Sequence, residues 1–117
     1  MWMIKTTERF DRWFTLLNDS DRACVLAALM VLREKGPGSS RPYADTIKGS
    51  AYSNMKELRI QSRGDPIRAF FAFDPNRTAI VLCAGNKAGN EKRFYREMLP
   101  VADLEFTHWL KSFNHKE

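Results

Sequence analysis

The apolar residues of this 117-residue chain change their spacing near Met55. Upstream of that point they recur every three or four residues, which is the period of a helix with one buried stripe. From Met55 onward, Leu58 and Ile60 alternate with charged and polar residues, which is the period of a strand. A chain of this length supports one hydrophobic core. We therefore predict a single domain over residues 1–117 with an α+β fold.

Two helices are predicted in the first third of the chain, after a short strand over Met1–Lys5. The first helix begins at a capping threonine, and its apolar residues share one face. These residues are Phe10, Trp13, Phe14 and Leu17. The second helix covers residues 21–35, where a Gly-Pro pair predicts its end. The two helices are expected to form an antiparallel hairpin.

A turn-rich loop is predicted over residues 36–54, and three strands are predicted after it. The first strand begins at Met55, the second spans Ile67–Phe73, and the third is the apolar run Ala79–Ala84. Short turns containing Gly, Pro and Asp separate these strands. Consecutive strands joined by tight turns predict a small antiparallel sheet.

A helix is predicted in the last third of the chain, from Glu91 to Leu99. Pro100 is expected to interrupt it, because proline cannot donate the backbone hydrogen bond of a continuous helix. Beyond the proline, apolar residues again fall on one stripe. They are Ala102, Phe106, Trp109, Leu110 and Phe113. The predicted order of elements is β-α-α-β-β-β-α.

Positive charge is concentrated in the middle of the chain. The net charge is +5, and residues 41–96 carry eleven cations and five anions, a local excess of +6. A local basic excess favours a nucleic acid or another polyanion as partner. A well-solvated surface explains the same composition, and charge alone does not separate the two interpretations.

The two cysteines and the N-terminal residues carry no sign of a disulfide, a zinc site or an export signal. Cys24 and Cys83 each lie in an apolar run and are predicted to be small core residues. No His, Cys and carboxylate residues have metal-ligand spacing, so we expect no metal and no cofactor. The longest apolar run, Ala23–Leu32, is about half of a membrane span. We therefore expect a cytoplasmic protein without a membrane partner.

The cations near the predicted strands suggest a site that binds a phosphodiester. Arg59 and Arg68 each lie on the polar side of a strand, and Lys87 follows the third strand. If the strands pair directly, the two guanidinium groups share one surface; otherwise each is a solvated arginine. RNA is cleaved when one group takes the 2′-hydroxyl proton and another protonates the leaving oxygen. His108 and His115 are predicted to be ordinary surface or helix-packing residues.

Other residue types therefore supply the candidates for proton transfer. The candidates are Lys56, Glu57, Lys87 and Tyr95, since cations crowded together lower a lysine pKa. Tyr95 could alternatively be a platform on which a base stacks. Further cations are predicted to contact RNA. These are Lys48, Arg63, Lys92, Arg93 and Arg96.

Three segments of the chain resemble one protein family. They are RPYADTIKGSAYSNMKELR, PIRAFFAFDPNRTAIVLCAGNKAG and KRFYREMLPVAD. In this order and spacing they are similar to the HigB-like branch of the RelE/ParE toxin superfamily, including its phage-derived members. The resemblance covers nearly the whole chain and implies the RelE-like fold.

The resemblance also implies a function and partners. Proteins of this kind are toxins of bacterial type II toxin–antitoxin pairs, and RelE-type members cleave mRNA in the ribosomal A site without a metal. A cognate antitoxin neutralises them, often a helix-turn-helix, HigA-like protein. The pair represses its own operon, so operator DNA is reached only through the antitoxin.

The family's site residues carry over onto matching positions of this chain. Arg68 is similar to the strand arginine that contacts the scissile phosphate, and Lys87 to the basic residue at the end of the last strand. Tyr95 falls near the family's C-terminal aromatic residue. Arg59, Lys56 and Glu57 match the Lys-Glu-Leu-Arg segment and are expected to support catalysis or transfer protons.

The leading prediction is a metal-independent, ribosome-dependent mRNA endoribonuclease that acts by 2′-hydroxyl attack and inhibits translation. A ParE-like toxin, which shares the fold and poisons DNA gyrase without catalysis, is the first alternative. The second is a module that only binds nucleic acid or an antitoxin. An inactive prophage remnant is the third.

Overall fold

The computed structural model describes residues 1–114, which form a five-stranded sheet with helices against both faces. The elements are β1 (Ile4–Thr6), α1 (Glu8–Thr15), α2 (Asp19–Lys35), β2 (Ala44–Thr46), β3 (Lys56–Ser62), β4 (Asp65–Phe73), β5 (Ala79–Asn86) and α3 (Glu91–Asn114). A single turn of 3-10 helix, Gly36–Gly38, follows α2. The predicted α+β class is confirmed.

The strands are arranged in the order β1-β5-β4-β3-β2. Strands β3, β4 and β5 form the predicted antiparallel meander, and β2 adds to its edge in the antiparallel sense. Strand β1 instead pairs parallel to β5, with Ile4 opposite Ala79. The sheet is therefore mixed, because the helical hairpin returns the chain to the sheet between β1 and the meander.

Side-chain caps fix where the first two helices begin. Thr7 caps α1, where its hydroxyl accepts a hydrogen bond from the Phe10 backbone N–H at 3.1 Å. Asn18 caps α2 in the same way, and its Oδ1 accepts from the Asp21 N–H at 2.8 Å. Each cap satisfies a backbone donor that the first helical turn leaves without a partner.

Gly36 ends α2 where the sequence predicted. Its backbone φ is 55°, a conformation that favours glycine. A Cβ atom at this position would also overlap the indole ring of Trp2. Position 36 is therefore confined to glycine, and Trp2 of the N-terminal segment packs against the end of α2.

The core has one cluster on each face of the sheet. In β4, Ile67, Ala69 and Phe71 pack toward α1 and α2, whereas Phe70 and Ala72 pack toward α3. Strand β5 follows the same alternation until a bulge beside Phe70, where Leu82 and Cys83 both join the α3 cluster. Burial on both faces explains why Ala79–Ala84 is apolar throughout.

Two parts of the sequence prediction are wrong. Strand β2 lies within the segment predicted as loop, because three residues are too few to display an alternating pattern. Helix α3 continues through Pro100 instead of breaking there. Pro100 is exposed, while Leu99 and Ala102 on either side of it pack on the sheet. Packing along the helix therefore outweighs the missing hydrogen bond.

The remaining predictions concern single residues and the membrane. Cys83 is buried and Cys24 is half-buried against the core, and both are free thiols. Burial raises the pKa of Cys83 to about 12. His108 is exposed on α3, and His115 lies outside the described residues. No helix within residues 1–114 combines the length and apolar character that crossing a membrane requires.

Replacing Phe71 by Ala removes a fully buried ring from the cluster between β4 and the helical hairpin. We expect the free energy of unfolding to fall by roughly 3–5 kcal/mol, because lost burial and a cavity both destabilise the fold. Urea denaturation measures the change. Leu104→Ala is the control, since Leu104 is 52% exposed and should change stability by less than about 0.5 kcal/mol. Equal effects of the two substitutions would contradict the assignment of the core.

Candidate phosphodiester site

The pairing of β3 with β4 brings two arginines together on the α3 side of the sheet. Arg59 and Arg68 are direct partners in this register, and Glu57 lies opposite Phe70. Phe70 packs toward α3, so Glu57 and the two arginines share that face. Tyr95 reaches the same place from α3. We call these four residues, Glu57, Arg59, Arg68 and Tyr95, the Glu57 cluster.

Glu57 is the hub of this cluster. Its side chain is buried at 2% exposure. Its Oε2 accepts a hydrogen bond from Arg59 Nε at 3.0 Å, and its Oε1 accepts one from the Tyr95 hydroxyl at 2.6 Å. Arg68 Nε lies 3.8 Å from Oε1, close enough for electrostatic attraction but too far for a hydrogen bond. One carboxyl group therefore holds three side chains from two strands and a helix.

Arg68 is the least satisfied member of the cluster. The residue is 9% exposed, and its Nη1 donates to the Ile67 carbonyl at 3.0 Å. Its Nε is buried and has no hydrogen-bond partner within residues 1–114. An unpaired buried donor on a charged group is unfavourable. An anionic acceptor that entered the cluster would complete the hydrogen bonding of this guanidinium.

Asp45 on the edge strand extends the cluster outward. Its Oδ2 lies 3.3 Å from Arg59 Nη2 and 2.8 Å from Arg41 Nη2. The hydrogen bond from Arg41 lowers the pKa of Asp45. The hydrogen bond to Glu57 raises the pKa of Arg59, so this arginine stays charged. The result is a chain of alternating charges from Arg41 to Arg68.

The start of α3 positions Tyr95. Asn90 caps the helix by accepting from the Arg93 N–H at 3.0 Å. Phe94 stacks on Phe70 with ring centroids 6.0 Å apart, and a Cβ atom on Gly85 would lie 3.0 Å from the Phe94 ring. Phe94 therefore anchors the helix in the core, while Tyr95 points its hydroxyl at Glu57. Burial, followed by the Glu57 hydrogen bond, raises the pKa of Tyr95.

Lys87 lies beside the Glu57 cluster without belonging to it. Its backbone N–H donates to the Pro66 carbonyl at 2.9 Å, which fixes the residue at the end of β5. Its Nζ is 2.5 Å from Glu91 Oε1 and 6.0 Å from the centroid of the Tyr95 ring. The hydrogen bond from Lys87 lowers the pKa of Glu91. This pairing keeps the ammonium group next to Tyr95.

Lys56 lies on the opposite face of the sheet. Its partner in β4 is Phe71, which packs toward α1 and α2. Successive residues of a strand point to opposite faces, so Lys56 and its neighbour Glu57 cannot serve one site. The structure therefore does not bring Lys56 to the other candidate catalytic residues.

The cations predicted to contact RNA are spread around the molecule. Arg63 lies in the β3–β4 turn, Lys48 follows β2, and three lie in the first turns of α3, all of them exposed. The three on α3 are Lys92, Arg93 and Arg96. Arg93 is paired with Glu97 at 3.3 Å. Within residues 1–114, none of the five forms an ion pair with the Glu57 cluster.

Two acidic residues of the site were missed in the sequence. Asp45 follows Arg41 and Glu91 follows Lys87, each four residues later. That spacing is a recognised ion-pair signal on helices, but neither pair lies within one helix. The described part of the chain contains no group of three or more His, Cys, Asp or Glu side chains placed to hold a metal ion.

Replacing Tyr95 by Phe removes the hydroxyl that donates to Glu57. The raised pKa of Tyr95 means that folding favours the protonated phenol. The hydroxyl therefore contributes its full stabilisation of the fold below the ordinary tyrosine pKa of 10.0, and this stabilisation is lost as the pH rises through the pKa of Tyr95 in the folded state. We expect Tyr95→Phe to lose about 1 kcal/mol of stability at neutral pH. Above pH 10.0, wild-type stability should fall more steeply than that of the variant.

Urea denaturation over a series of alkaline pH values measures this difference. Tyr43→Phe is the matched control, because Tyr43 is 48% exposed and should keep the wild-type pH dependence. Identical pH dependence of Tyr95→Phe and the wild type would contradict the proposed environment of the hydroxyl.

Comparison of the sequence with known families gives one match that covers most of the chain. Residues 12–107 match the family described as "Phage derived protein Gp49-like (DUF891)". "Putative toxin HigB3" of Mycobacterium tuberculosis is 46% identical over 102 residues, which are 87% of this chain and 88% of that protein. "Putative toxin HigB2" of the same organism is 45% identical over 107 residues, 91% of this chain and 53% of that protein.

Solved structures show the same fold. The isolated E. coli RelE toxin superimposes with a TM-score of 0.60 at 14% identity, covering 84% of this chain and 97% of RelE. The intact E. coli RelBE toxin–antitoxin complex contains a chain that superimposes with a TM-score of 0.56 at 14% identity, covering 73% of this chain and 95% of that one. At such identity the similarity concerns the fold alone.

The two kinds of comparison agree with the resemblance seen in the sequence. The family match begins within α1 and covers α2, strands β2 to β5 and most of α3. The relatives share nearly half of their aligned residues with this chain, and the fold is that of RelE. This chain therefore belongs to the Gp49-like family, is HigB-like in sequence and has the fold of RelE.

Proposed function

We propose that this protein is the toxin of a toxin–antitoxin pair and cleaves mRNA without a metal ion. The observation that carries the proposal is the buried Nε of Arg68, which has no hydrogen-bond partner in the described part of the chain and lies 3.8 Å from Glu57. A phosphate oxygen is the acceptor that such a guanidinium binds best. The names of the HigB relatives and the RelE fold support the same function.

Binding of the phosphodiester would redistribute the contacts of Glu57. At rest, Arg59 donates to Glu57 and Arg68 is attracted to it. A phosphate between the two guanidinium groups would accept hydrogen bonds from both. Glu57 would then have a carboxylate oxygen free for the 2′-hydroxyl of the substrate. The arginines would also stabilise the charge that builds up on phosphorus, often the larger catalytic contribution.

Cleavage would then proceed by internal transesterification. Glu57 accepts the 2′-hydroxyl proton while the 2′-oxygen forms a bond to phosphorus. The bond from phosphorus to the 5′-oxygen breaks, and the Lys87 ammonium donates a proton to that oxygen. The products are a 2′,3′-cyclic phosphate, or the 3′-phosphate formed on its hydrolysis, and a 5′-hydroxyl. General acid–base catalysis contributes roughly 10²–10⁴-fold in rate.

Tyr95 would position Glu57 rather than react. Its raised pKa keeps the phenol protonated, and its hydroxyl donates to Glu57 Oε1 at 2.6 Å. This hydrogen bond fixes one carboxylate oxygen and leaves the other for the substrate. Lys56 takes no part in proton transfer here, since it lies on the other face of the sheet.

The proposed partners follow from the relatives. E. coli RelE forms a complex with an antitoxin, and we propose a cognate antitoxin of the helix-turn-helix, HigA-like kind for this chain. Operator DNA would be bound through that antitoxin. The substrate would be mRNA on the 70S ribosome, which places the reaction in the cytoplasm.

Replacing Arg68 by Ala tests the proposed activity. The purified protein is added to a cell-free translation reaction, and new mRNA 5′ ends are mapped with and without ribosomes. We expect ribosome-dependent cuts from the wild type and at least a 100-fold loss in Arg68→Ala, because a transition-state donor is removed.

Arg12→Ala is the control, since Arg12 is an exposed arginine paired with Glu8 on α1. It should cleave like the wild type, and thermal unfolding shows whether Arg68→Ala remains folded. Intact mRNA with inhibited DNA supercoiling in a parallel gyrase assay would favour a ParE-like poison and contradict the proposal.

Replacing Glu57 by Gln separates catalysis from binding. The amide has nearly the same shape but cannot take the 2′-hydroxyl proton, so cleavage should fall about 100-fold or more. Affinity for an uncleavable 2′-O-methylated RNA should rise, because a negative charge beside the phosphate is removed. Glu97→Gln is the control on the outer face of α3 and should change neither. Unchanged cleavage by Glu57→Gln would exclude Glu57 as the base.

A further inference from the structure

Two cavities meet at Lys56 on the face of the sheet opposite the Glu57 cluster. One, of about 430 Å³, lies between the Ser39–Arg41 segment and the edge of β2 and β3. The other, of about 270 Å³, lies between Pro37 and the turn that follows β4. Lys56 lines both cavities, and we call the surface that the two cavities make up the Lys56 trough. Its polar and charged lining residues are Ser39, Ser40, Arg41, Asp45, Thr46, Asn54, Lys56, Asp74 and Arg77.

The trough carries uncompensated positive charge. Within residues 1–114, neither Lys56 nor Arg77 forms an ion pair with a carboxylate. Asp45 is shared by Arg41 and Arg59. Asp74 is buried and accepts from backbone N–H groups and from the Trp109 indole, so it is already satisfied. An anion entering the trough would therefore meet two cations that no ion pair holds, although Asp45 and Asp74 lie in the same lining.

Hydroxyl groups line the same surface. Ser40 and Thr46 border the larger cavity. Ser39 also borders it, is 6% exposed, and has a buried Oγ that makes no hydrogen bond to any described residue. A hydroxyl donor combined with a nearby ammonium group suits phosphate oxygens, which accept several hydrogen bonds at once.

One aromatic ring contacts a cation of the trough, and a second lies in the chain segment between Arg41 and Ala44, which line the larger cavity. Tyr43 is 48% exposed, and Lys35 Nζ lies 5.3 Å from its ring centroid. The Arg77 guanidinium lies 5.1 Å from the centroid of Trp2. Cations that follow a backbone, with exposed aromatic rings beside them, are the composition of surfaces that bind single-stranded nucleic acid. An acidic peptide would use the cations but not the exposed ring.

The edge strand connects the trough to the Glu57 cluster. Asp45 in β2 contacts Arg41 on the trough side and Arg59 on the cluster side through one oxygen, at 2.8 Å and 3.3 Å. Among the residues that the structure describes, no strand pairs with the outer side of β2. An extended chain can therefore pass around this edge from one face to the other.

We infer that the Lys56 trough binds the phosphate backbone of single-stranded RNA next to the segment held at the Glu57 cluster. The inference rests on the proposed function and adds a second contact surface to it. Lys56 and Arg77 bind phosphates, and Tyr43 stacks with a base. Lys56 thus acts in substrate binding and not in proton transfer.

RNA binding at several salt concentrations tests the inference. The probe is a fluorescent, 2′-O-methylated RNA of about ten nucleotides, within the range of single-stranded binding sites. We expect Lys56→Gln and Arg77→Gln each to reduce the slope of log affinity against log salt by about 0.7, the value for one lost phosphate contact. Lys111→Gln, an exposed lysine on α3, controls for the change in net charge and should keep the wild-type slope.

A second probe and a second ligand make the outcome decisive. A 2′-O-methylated dinucleotide, which fills only the Glu57 cluster, should bind Lys56→Gln as tightly as the wild type. Equal slopes for Lys56→Gln, Arg77→Gln and Lys111→Gln would overturn the inference. Loss of polyglutamate binding without loss of RNA binding would overturn it in favour of an acidic protein partner.

The two proposals can fail separately. The probe cannot be cleaved, so binding is measured whether or not the protein is a nuclease. If the substitutions reduce the slopes but the wild type never cuts mRNA, RNA binding at the trough is supported and the endoribonuclease proposal is wrong. If the wild type cleaves mRNA but the slopes are equal, the endoribonuclease proposal is supported and RNA binding at the trough is wrong.

Discussion

A buried carboxyl group organises the functional half of this molecule. Glu57 lies in the middle of the sheet at 2% exposure, and a polar group is tolerated there only when hydrogen bonds replace those it made to water. Arg59 and Tyr95 supply these hydrogen bonds. Because Tyr95 comes from α3, the same contact also fixes where the helix lies on the sheet. The packing of α3 and the proposed function thus depend on one side chain.

The Glu57 cluster and the residues beside it are nearly neutral, which differs from a simple basic patch. Three cations, Arg59, Arg68 and Lys87, lie close to the carboxylates of Glu57, Asp45 and Glu91. These carboxylates hold the cations in place, so binding of the proposed phosphate would need less ordering. The exception is Arg68, whose Nε has only a distant partner. We expect the phosphate to bind at this unsatisfied donor.

Much of this arrangement could be predicted from strand alternation. Alternation placed Arg59 and Arg68 each on the polar side of its strand, so that they would share one face if the strands paired directly, as they do. Lys87 and Tyr95 were candidates by residue type and position, and the family resemblance supported both. The same rule separates Lys56 from Glu57, since neighbours in a strand face opposite ways. The family resemblance matched the Lys-Glu-Leu-Arg segment as a whole, so it did not indicate that Lys56 and Glu57 lie on opposite faces. The side chain of Lys56 borders the trough instead.

Other features depend on contacts that the local sequence does not display. Strand β2 has three residues and exists because β3 offers an open edge, so Asp45 could not be placed beside Arg59 beforehand. The uninterrupted α3 reflects packing on both sides of Pro100, a tertiary effect that overrides local preference. The bulge at Leu82 is likewise set by the fit of β5 between two core clusters.

The Nε–H resonance of the Arg68 side chain shows directly whether a phosphate binds at the Glu57 cluster. Nitrogen NMR of the arginine Nε–H groups would be recorded while a 2′-O-methylated RNA dinucleotide is added. We expect the Arg68 Nε–H resonance to shift and its proton to become protected from exchange with water. An unchanged Arg68 resonance, with shifts confined to exposed arginines such as Arg93, would contradict it.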